Sequence, residues 1–369
     1  MLSVEKLNVG IVGIAGRPMG FISAIQNSKV ARLTSVCDIN YEMMCKATEG
    51  IDGINKYTDY YEMIQSNTLD AVIIGTPVHL HVPQSIIALE NNIHVFSEVT
   101  AATSLDECKQ LVTACKHSKA SYMMGENCNY MKPYMIIKEM VKDGVFGEVY
   151  YAEGEYLHNC RKLIKTTPWR RKWQYGINGI TYGTHSLGPI MSWFENDRIV
   201  KVSCVGSGHH YVDDDNKCFE MEDTCVMLAK TIKGRLIKIR MDIVSNRPYS
   251  LEYTLQGTKG CYDSKMTGNE DDKIWIEGLC NGGSWIDLNM LADKYTPELW
   301  GRYGAEASKE GHGGSDYIIM TDFIDAIVNN KPIPIGIHET MDMCLPGHIS
   351  QQSILCAGEW IEVPDSREW

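Results

Sequence analysis

Residues 7–20 read LNVGIVGIAGRPMG. Val9, Ile11, Val12 and Ile14 form a short apolar run that climbs into a cluster of glycines, and the segment from Phe21 to Ile25 is apolar and helix-compatible. The order is therefore strand, tight turn, helix. A pyrophosphate lies against bare backbone amides at a helix N-terminus, where unpaired N–H groups and the helix dipole both favour an anion. Side chains there hold it away. Against the G-x-G-x-x-G fingerprint, Gly13 fills the first place, Ala15 the second and Pro18 the third, with Gly16 and Gly20 nearby. Taken alone, this also fits a glycine-rich turn of some other α/β protein.

The next strand narrows the choice. Residues 32–39, RLTSVCDI, lean apolar and bring in Asp38 about two dozen residues after Gly13, where an acid accepts hydrogen bonds from an adenosine ribose. A carboxylate there repels a 2′-phosphate and so favours NAD over NADP. Arg17 pulls the other way, because a guanidinium binds phosphate.

From residue 1 to about 125, strands and helices alternate. Ala71–Thr76 (AVIIGT) reads as a buried strand stopped by Pro77, followed by helix 84–91, strand Ile93–Ser97 ending at Glu98, helix 104–117 with Ser104 and Glu107 spaced as a capping box, and strand 121–124 ending at Glu126. Such alternation predicts a parallel sheet with Thr76, Glu98 and Glu126 on one carboxyl edge. Beyond Glu126 the pattern changes. After helix 133–143, the segments from Val149 to about Ile276 alternate in strand fashion between glycine-containing turns, which predicts a large antiparallel sheet with one open face suited to pairing subunits. Helices return at 315–329 and 338–358.

At 369 residues the chain suits two packed domains, expected at 1–125 for nucleotide binding and 126–369 for substrate binding and oligomerisation, with C-terminal helices able to pack back on the first. A net charge of −12 with no basic run argues against nucleic acid. Apolar stretches are only strand-sized, which argues against a membrane span, and MLSVEKLNVG has no signal-peptide core. The thirteen scattered cysteines contain no C-x-x-C pair and read as reduced thiols in a cytoplasm.

GTPVHLH at 75–81, HVFSEVT at 94–100, DGVFGEV at 143–149 and YIIMTDFIDAIVNNKPIP at 317–334, with the glycine turn, resemble the Gfo/Idh/MocA oxidoreductases over essentially the whole chain. That resemblance implies an α/β fold, with an N-terminal doubly wound Rossmann sheet and a C-terminal α/β domain carrying a large, mostly antiparallel open sheet. It also implies NAD(P) and sugar or polyol substrates. Cofactor contacts are then expected from Gly13, Ala15, Gly16, Arg17, Pro18, Met19, Asp38, Thr76, Pro77, His81, Glu98 and Asn127. Two departures stand out. Glu98-Val99-Thr100 occupies the place of a Glu-Lys-Pro triplet, and TYGTHSLG at 181–188 keeps Gly183 and His185 while Thr181 and Gly188 replace two acids.

EVTAATSLDEC, GENCNY, GEYLH, TYGTHSLGP and GHGGSDY further resemble the NAD-dependent α-N-acetylgalactosaminidases, which cleave glycosides through transient oxidation at C3. This second resemblance marks Glu126, Tyr156, Tyr182 and His185 as catalytic. With no lysine available, His185 is the best base for a sugar hydroxyl proton, since imidazole titrates near neutral pH; the other reading is a core histidine. Tyr156 and Tyr182 relay protons or merely pack, and Glu126 binds hydroxyls or caps a helix. Trp169, Arg170 and Trp173, from an aromatic and basic cluster that also contains Arg171, suit a sugar ring and its oxygens or a domain-interface loop. His312 enters a pocket or stays a solvated loop residue. His209-His210 before Asp213–Asp215 lacks metal-ligand spacing and reads as a polar turn, so no metal is expected.

Three functions follow as expectations. The first is NAD-dependent oxidation of a ring hydroxyl of a sugar or glycoside, at C3, to a keto sugar. The second is a glycosidase or lyase that uses the same oxidation transiently. The third is a non-catalytic NAD and sugar sensor, which the retained His185 and two tyrosines count against.

Overall fold

The computed structural model describes residues 6–66, 68–264 and 271–369. Residues 1–5, part of the segment read for a signal peptide, and 265–270, inside the strand-rich stretch, lie outside the described residues. The chain forms two compact units, one from residues 1–130, 302–341 and 366–369, the other from 131–301 and 342–365.

In the first unit, β1 (Leu7–Val12), β2 (Ala31–Cys37), β3 (Asn55–Tyr57), β4 (Ala71–Ile74), β5 (His94–Ser97) and β6 (Tyr122–Met124) form one sheet in the order β3-β2-β1-β4-β5-β6. Every pairing is parallel. All of β4 is buried, as a parallel strand covered on both faces requires. Strand order reverses between β1 and β4, so the crevice for a ligand opens at their carboxyl ends.

Local departures from the sequence reading have local causes. The glycine turn leads first into a 3-10 turn, Arg17–Phe21, started by Pro18, and only then into helix Ile22–Asn27. Helix His81–Glu90 begins earlier than expected because Pro83 sits in its first turn, where a missing N–H costs nothing. At helix Leu105–His117, Ser104 Oγ accepts from the Glu107 N–H at 3.2 Å, but Glu107 Oε2 reaches back one residue further, to the Thr103 N–H at 2.7 Å. Helix Ser315–Val328 belongs to this unit: Phe323 meets the edge of Phe96 at 5.3 Å, and Phe96 meets Phe21 at 5.0 Å.

The second unit holds β7 (Val149–Leu157), β8 (Ile199–Gly206), β9 (Cys225–Thr231), β10 (Leu236–Asp242), β11 (Ser250–Gly257), β12 (Gly260–Asp263), β13 (Lys273–Ile276), β14 (Ile286–Asp287) and β15 (Ile361–Glu362). Their order is β14-β13-β12-β11-β7-β10-β9-β8-β15. Among the described strands of this second sheet, only the β7–β10 pair is parallel. Helix Thr184–Trp193 lies against β7 because Gly154 leaves room: a Cβ there would stand 2.2 Å from the Ser186 carbonyl oxygen. Trp193, Tyr134 and Tyr253 close this side, with Tyr134 and Tyr253 ring centres 4.6 Å apart and Trp193 Nε1 donating to the Tyr134 carbonyl at 2.9 Å. The opposite face carries ion pairs such as Lys238–Glu153 beside exposed Leu228 and Val205.

Candidate active site

The turn after β1 is built for close backbone approach. Gly13 holds φ +77°, and a Cβ on it would lie 2.7 Å from the Gly75 carbonyl oxygen; a Cβ on Gly75 would lie 1.9 Å from Pro18 Cγ. Only bare backbone fits where β1 and β4 end together. The Asp38 carboxylate accepts from the Ala15 N–H at 3.0 Å and the Asn40 N–H at 2.9 Å, so it stands beside the turn with lone pairs left for a ribose. This cradle fits a dinucleotide.

Arg17 is engaged by carboxylates and an aromatic ring. Its Nη2 donates to Asp316 Oδ1 at 2.6 Å, its Nε lies 3.6 Å from Glu98 Oε1, and the guanidinium covers Phe21 at 5.0 Å. The Asn127 amide donates to the same Asp316 oxygen at 3.0 Å, and His312 Nδ1 sits 2.7 Å from the other. Burial by itself would raise the Asp316 carboxyl, but His312 and Arg17 outweigh it and hold the group below the usual carboxylate value. His312, expected at the substrate, is thus seated in the first unit beside the glycine turn.

Along the carboxyl edge, Thr76 Oγ1 donates to Gln84 at 2.6 Å and Pro77 caps the turn Val78–Leu80. His81, expected as a cofactor contact, sets its two ring nitrogens 2.9 Å from Thr100 O and 2.8 Å from Thr76 O. Burial keeps its pKa below the ordinary imidazole value, so the neutral ring, with one N–H, donates to one of the two carbonyls while both nitrogens face backbone. Glu126 is fully buried at the end of β6, accepting from the Cys128 N–H at 3.1 Å. Met19 is 48% exposed at the turn.

The second unit gathers the expected proton-handling groups. Tyr156 is the second-last residue of β7, and His185 lies in the first turn of Thr184–Trp193. Ring centres of Tyr156 and His185 are 4.9 Å apart, those of Tyr182 and His185 5.3 Å, and those of Tyr156 and Tyr182 5.8 Å. The Tyr253 hydroxyl donates to the His185 carbonyl, which fixes that turn. Two further residues join them. His158 Nδ1 lies 2.9 Å from the Tyr156 hydroxyl, and Tyr249 stands edge-on to His158 at 5.1 Å. His158 was legible in principle, since residues two apart along an extended chain share a face.

Trp169 caps the short helix Arg170–Trp173. Arg170 stacks on Trp169 at 4.5 Å and donates to Thr167 Oγ1 and Gln174 Oε1, whereas Arg171 is committed to Asp213 and Glu220. Lys172 covers Trp173 at 4.4 Å. His210 pairs with Asp223 at 2.8 Å and His209 faces the Met221 carbonyl, as a polar turn does.

Residues 7–126 match the family model described as oxidoreductase family, NAD-binding Rossmann fold, and residues 130–368 match that of glycosyl hydrolase 109, C-terminal domain. A glycosyl hydrolase family 109 protein from Shewanella sp. (strain MR-4) is 28% identical over 396 residues, covering 98% of this chain and 85% of its own. One from Saccharopolyspora erythraea is 27% identical over 390 residues, covering 98% and 83%. The fold is shared with the WlbA dehydrogenase from Bordetella pertussis, solved with NADH and UDP-GlcNAcA (TM-score 0.79, 19% identity, 99% of each chain). It is shared too with levoglucosan dehydrogenase, solved with NADH and levoglucosan (TM-score 0.81, 19% identity, 98% of this chain and 100% of that one). With its second domain matched over most of the chain and a dinucleotide cradle ahead of it, this chain belongs to the glycosyl hydrolase 109 family and carries an NAD-binding Rossmann domain of the oxidoreductase family.

Proposed function

We propose that the protein oxidises a ring hydroxyl of a sugar or glycoside, at C3, to a keto sugar with NAD. The observation that carries this reading is His185 in ring contact with Tyr156 and Tyr182, in a chain with Val99 where the resembling oxidoreductases have lysine. Bound NAD supplies the hydride acceptor. Gly13, Ala15, Gly16, Pro18 and Met19 shape the pyrophosphate turn, Asp38 takes the ribose, and Glu98 and Asn127 lie on the nicotinamide side. His185 takes the hydroxyl proton as the carbon gives up its hydride, Tyr182 orients the imidazole, Tyr156 passes protons, and Glu126 holds sugar oxygens. Trp169, Arg170 and Trp173 stack on and donate to the sugar.

A second reading, cleavage of the glycoside with the oxidation only transient, is favoured by the match of 130–368 to the glycosyl hydrolase 109 domain. Purified protein with NAD and a panel of glucosides and galactosides, followed separately for NADH, keto sugar and aglycone, decides between them. Keto sugar with NADH supports the first, aglycone without net NADH the second, and neither product defeats both. The second domain, expected at 126–369, supplies the substrate side, and the open face of its nine-stranded sheet pairs subunits. All thirteen cysteines are free thiols, in keeping with a cytoplasmic protein, and no described helix is long and apolar enough to cross a membrane.

A further inference from the structure

Tyr156 does not stand alone at the end of β7. Its hydroxyl lies 2.9 Å from His158 Nδ1. For the Tyr156 O–H to donate across that distance, Nδ1 must be the unprotonated nitrogen of the ring. The backbone holds this geometry: the His158 N–H donates to the Asp242 carbonyl at 2.8 Å, the Cys160 N–H to that of Ile243 at 2.9 Å. The His158 ring is half-buried, and Nε2 has no protein partner among the described residues. Tyr156 therefore lies between His185 on one side and a histidine with one open nitrogen on the other.

We propose that His158 is a positioning residue and proton outlet for the hydride-transfer site, acting through Tyr156. The inference rests on the reading of His185 as the base. The proton that His185 takes from the sugar hydroxyl passes to the Tyr156 oxygen as the phenolic proton moves to His158 Nδ1, and the proton on His158 Nε2 leaves to water. One proton has reached solvent for each hydride transferred, and His158 is left as its Nδ1–H tautomer, which proton exchange with water returns to the Nε2–H form.

The groups facing His158 are Tyr156 from its own segment and Tyr249 from the approach to β11, with the charges of His185 from helix Thr184–Trp193 and Arg170 from the short helix acting on it. Burial, then His185 and Arg170, keep the His158 imidazole below its ordinary pKa, so it stays an acceptor at neutral pH.

His158→Asn keeps an acceptor oxygen opposite Tyr156 but cannot pass a proton on. In wild-type protein, kcat should fall on the acid side as His158 becomes protonated, at a pH below the usual imidazole value. In His158→Asn, kcat should drop about tenfold, KM should stay within about twofold, that acid limb should vanish, and imidazole in the buffer should restore turnover. Unchanged kcat and pH profile in the variant would overturn the proposal. Independently of activity, nitrogen-15 NMR of His158 should show the Nε2–H tautomer, with a response to Tyr156→Phe; the Nδ1–H tautomer overturns it. If wild-type protein reduces no NAD with any glycoside, the functional reading fails, and the outlet with it, whatever the NMR shows.

Discussion

Arg17 Nη2 donates to Asp316 Oδ1 at 2.6 Å, tying the turn after β1 to helix Ser315–Val328 and engaging the guanidinium with a carboxylate. The wild-type protein should therefore bind NAD more tightly than NADP. Asp316→Ala releases Arg17 and should shift the ratio toward NADP by about tenfold, and Asp38→Ala should weaken NAD and narrow the preference. Dissociation constants by fluorescence titration check both; a wild-type preference for NADP would contradict the assignment.

Asp316 also makes the protein acid-sensitive. It is 1% exposed and its folded pKa is lowered, so its stabilisation is complete above the unfolded carboxyl value and is lost as pH falls through the folded one. Asp316→Asn should be less stable than wild type by about 2 kcal/mol at pH 7, and the gap should close below about pH 4. Urea midpoints at pH 7 and pH 3 measure it, and a constant gap would show that the charge is not responsible.

Gly75→Ala places a Cβ 1.9 Å from Pro18 Cγ and 2.4 Å from its Cδ. Neither the proline ring nor the end of β4 yields easily, so the turn must open. NAD affinity should fall at least tenfold and stability by about 2 kcal/mol. Calorimetric titration and thermal melts of the same sample separate the two effects.

His185→Ala should cost about a hundredfold or more in single-turnover NAD reduction while leaving NAD affinity nearly unchanged. Val99→Lys in the same background should not restore full activity, because a lysine there would be a partly buried cation near a positive nicotinamide. Near-normal reduction by the alanine variant would pass the role of base to Tyr156 or Glu126.

Leu228 on β9 is 38% exposed and Val205 on β8 55% exposed, both on the open sheet face. If that face pairs subunits, Leu228→Arg should convert an oligomer to a smaller species by light scattering at micromolar concentration, with the melting temperature lowered by a few degrees. A wild-type monomer would remove the premise.

Much of the first unit was legible because its signals are local. The turn at Gly13, the acid at Asp38 and the stop at Pro77 each depend on a few neighbouring residues whose backbone needs are written in their side chains. Helix His81–Glu90 was misplaced at its start because Pro83 reads as a breaker unless its position within the first turn is known. In the second unit the strands were legible as alternating segments, but not their order, since β7 pairs with β10 and β11 far along the chain.

By itself the sequence determined the strand–turn–helix cradle, the parallel first sheet and the strand-rich second half, because periodicity and turn chemistry act over short spans; the shortlist of Glu126, Tyr156, Tyr182 and His185 came from the family resemblance of its motifs. Only the tertiary structure decided that Asp316 holds Arg17, that His312 lies beside the glycine turn, and that both His81 nitrogens face backbone. It also decided that His158 rather than solvent faces the Tyr156 hydroxyl. The charge of Arg17 is plain in the sequence, but its use depends on which carboxylate folding brings within 3 Å, and that carboxylate comes from 299 residues away.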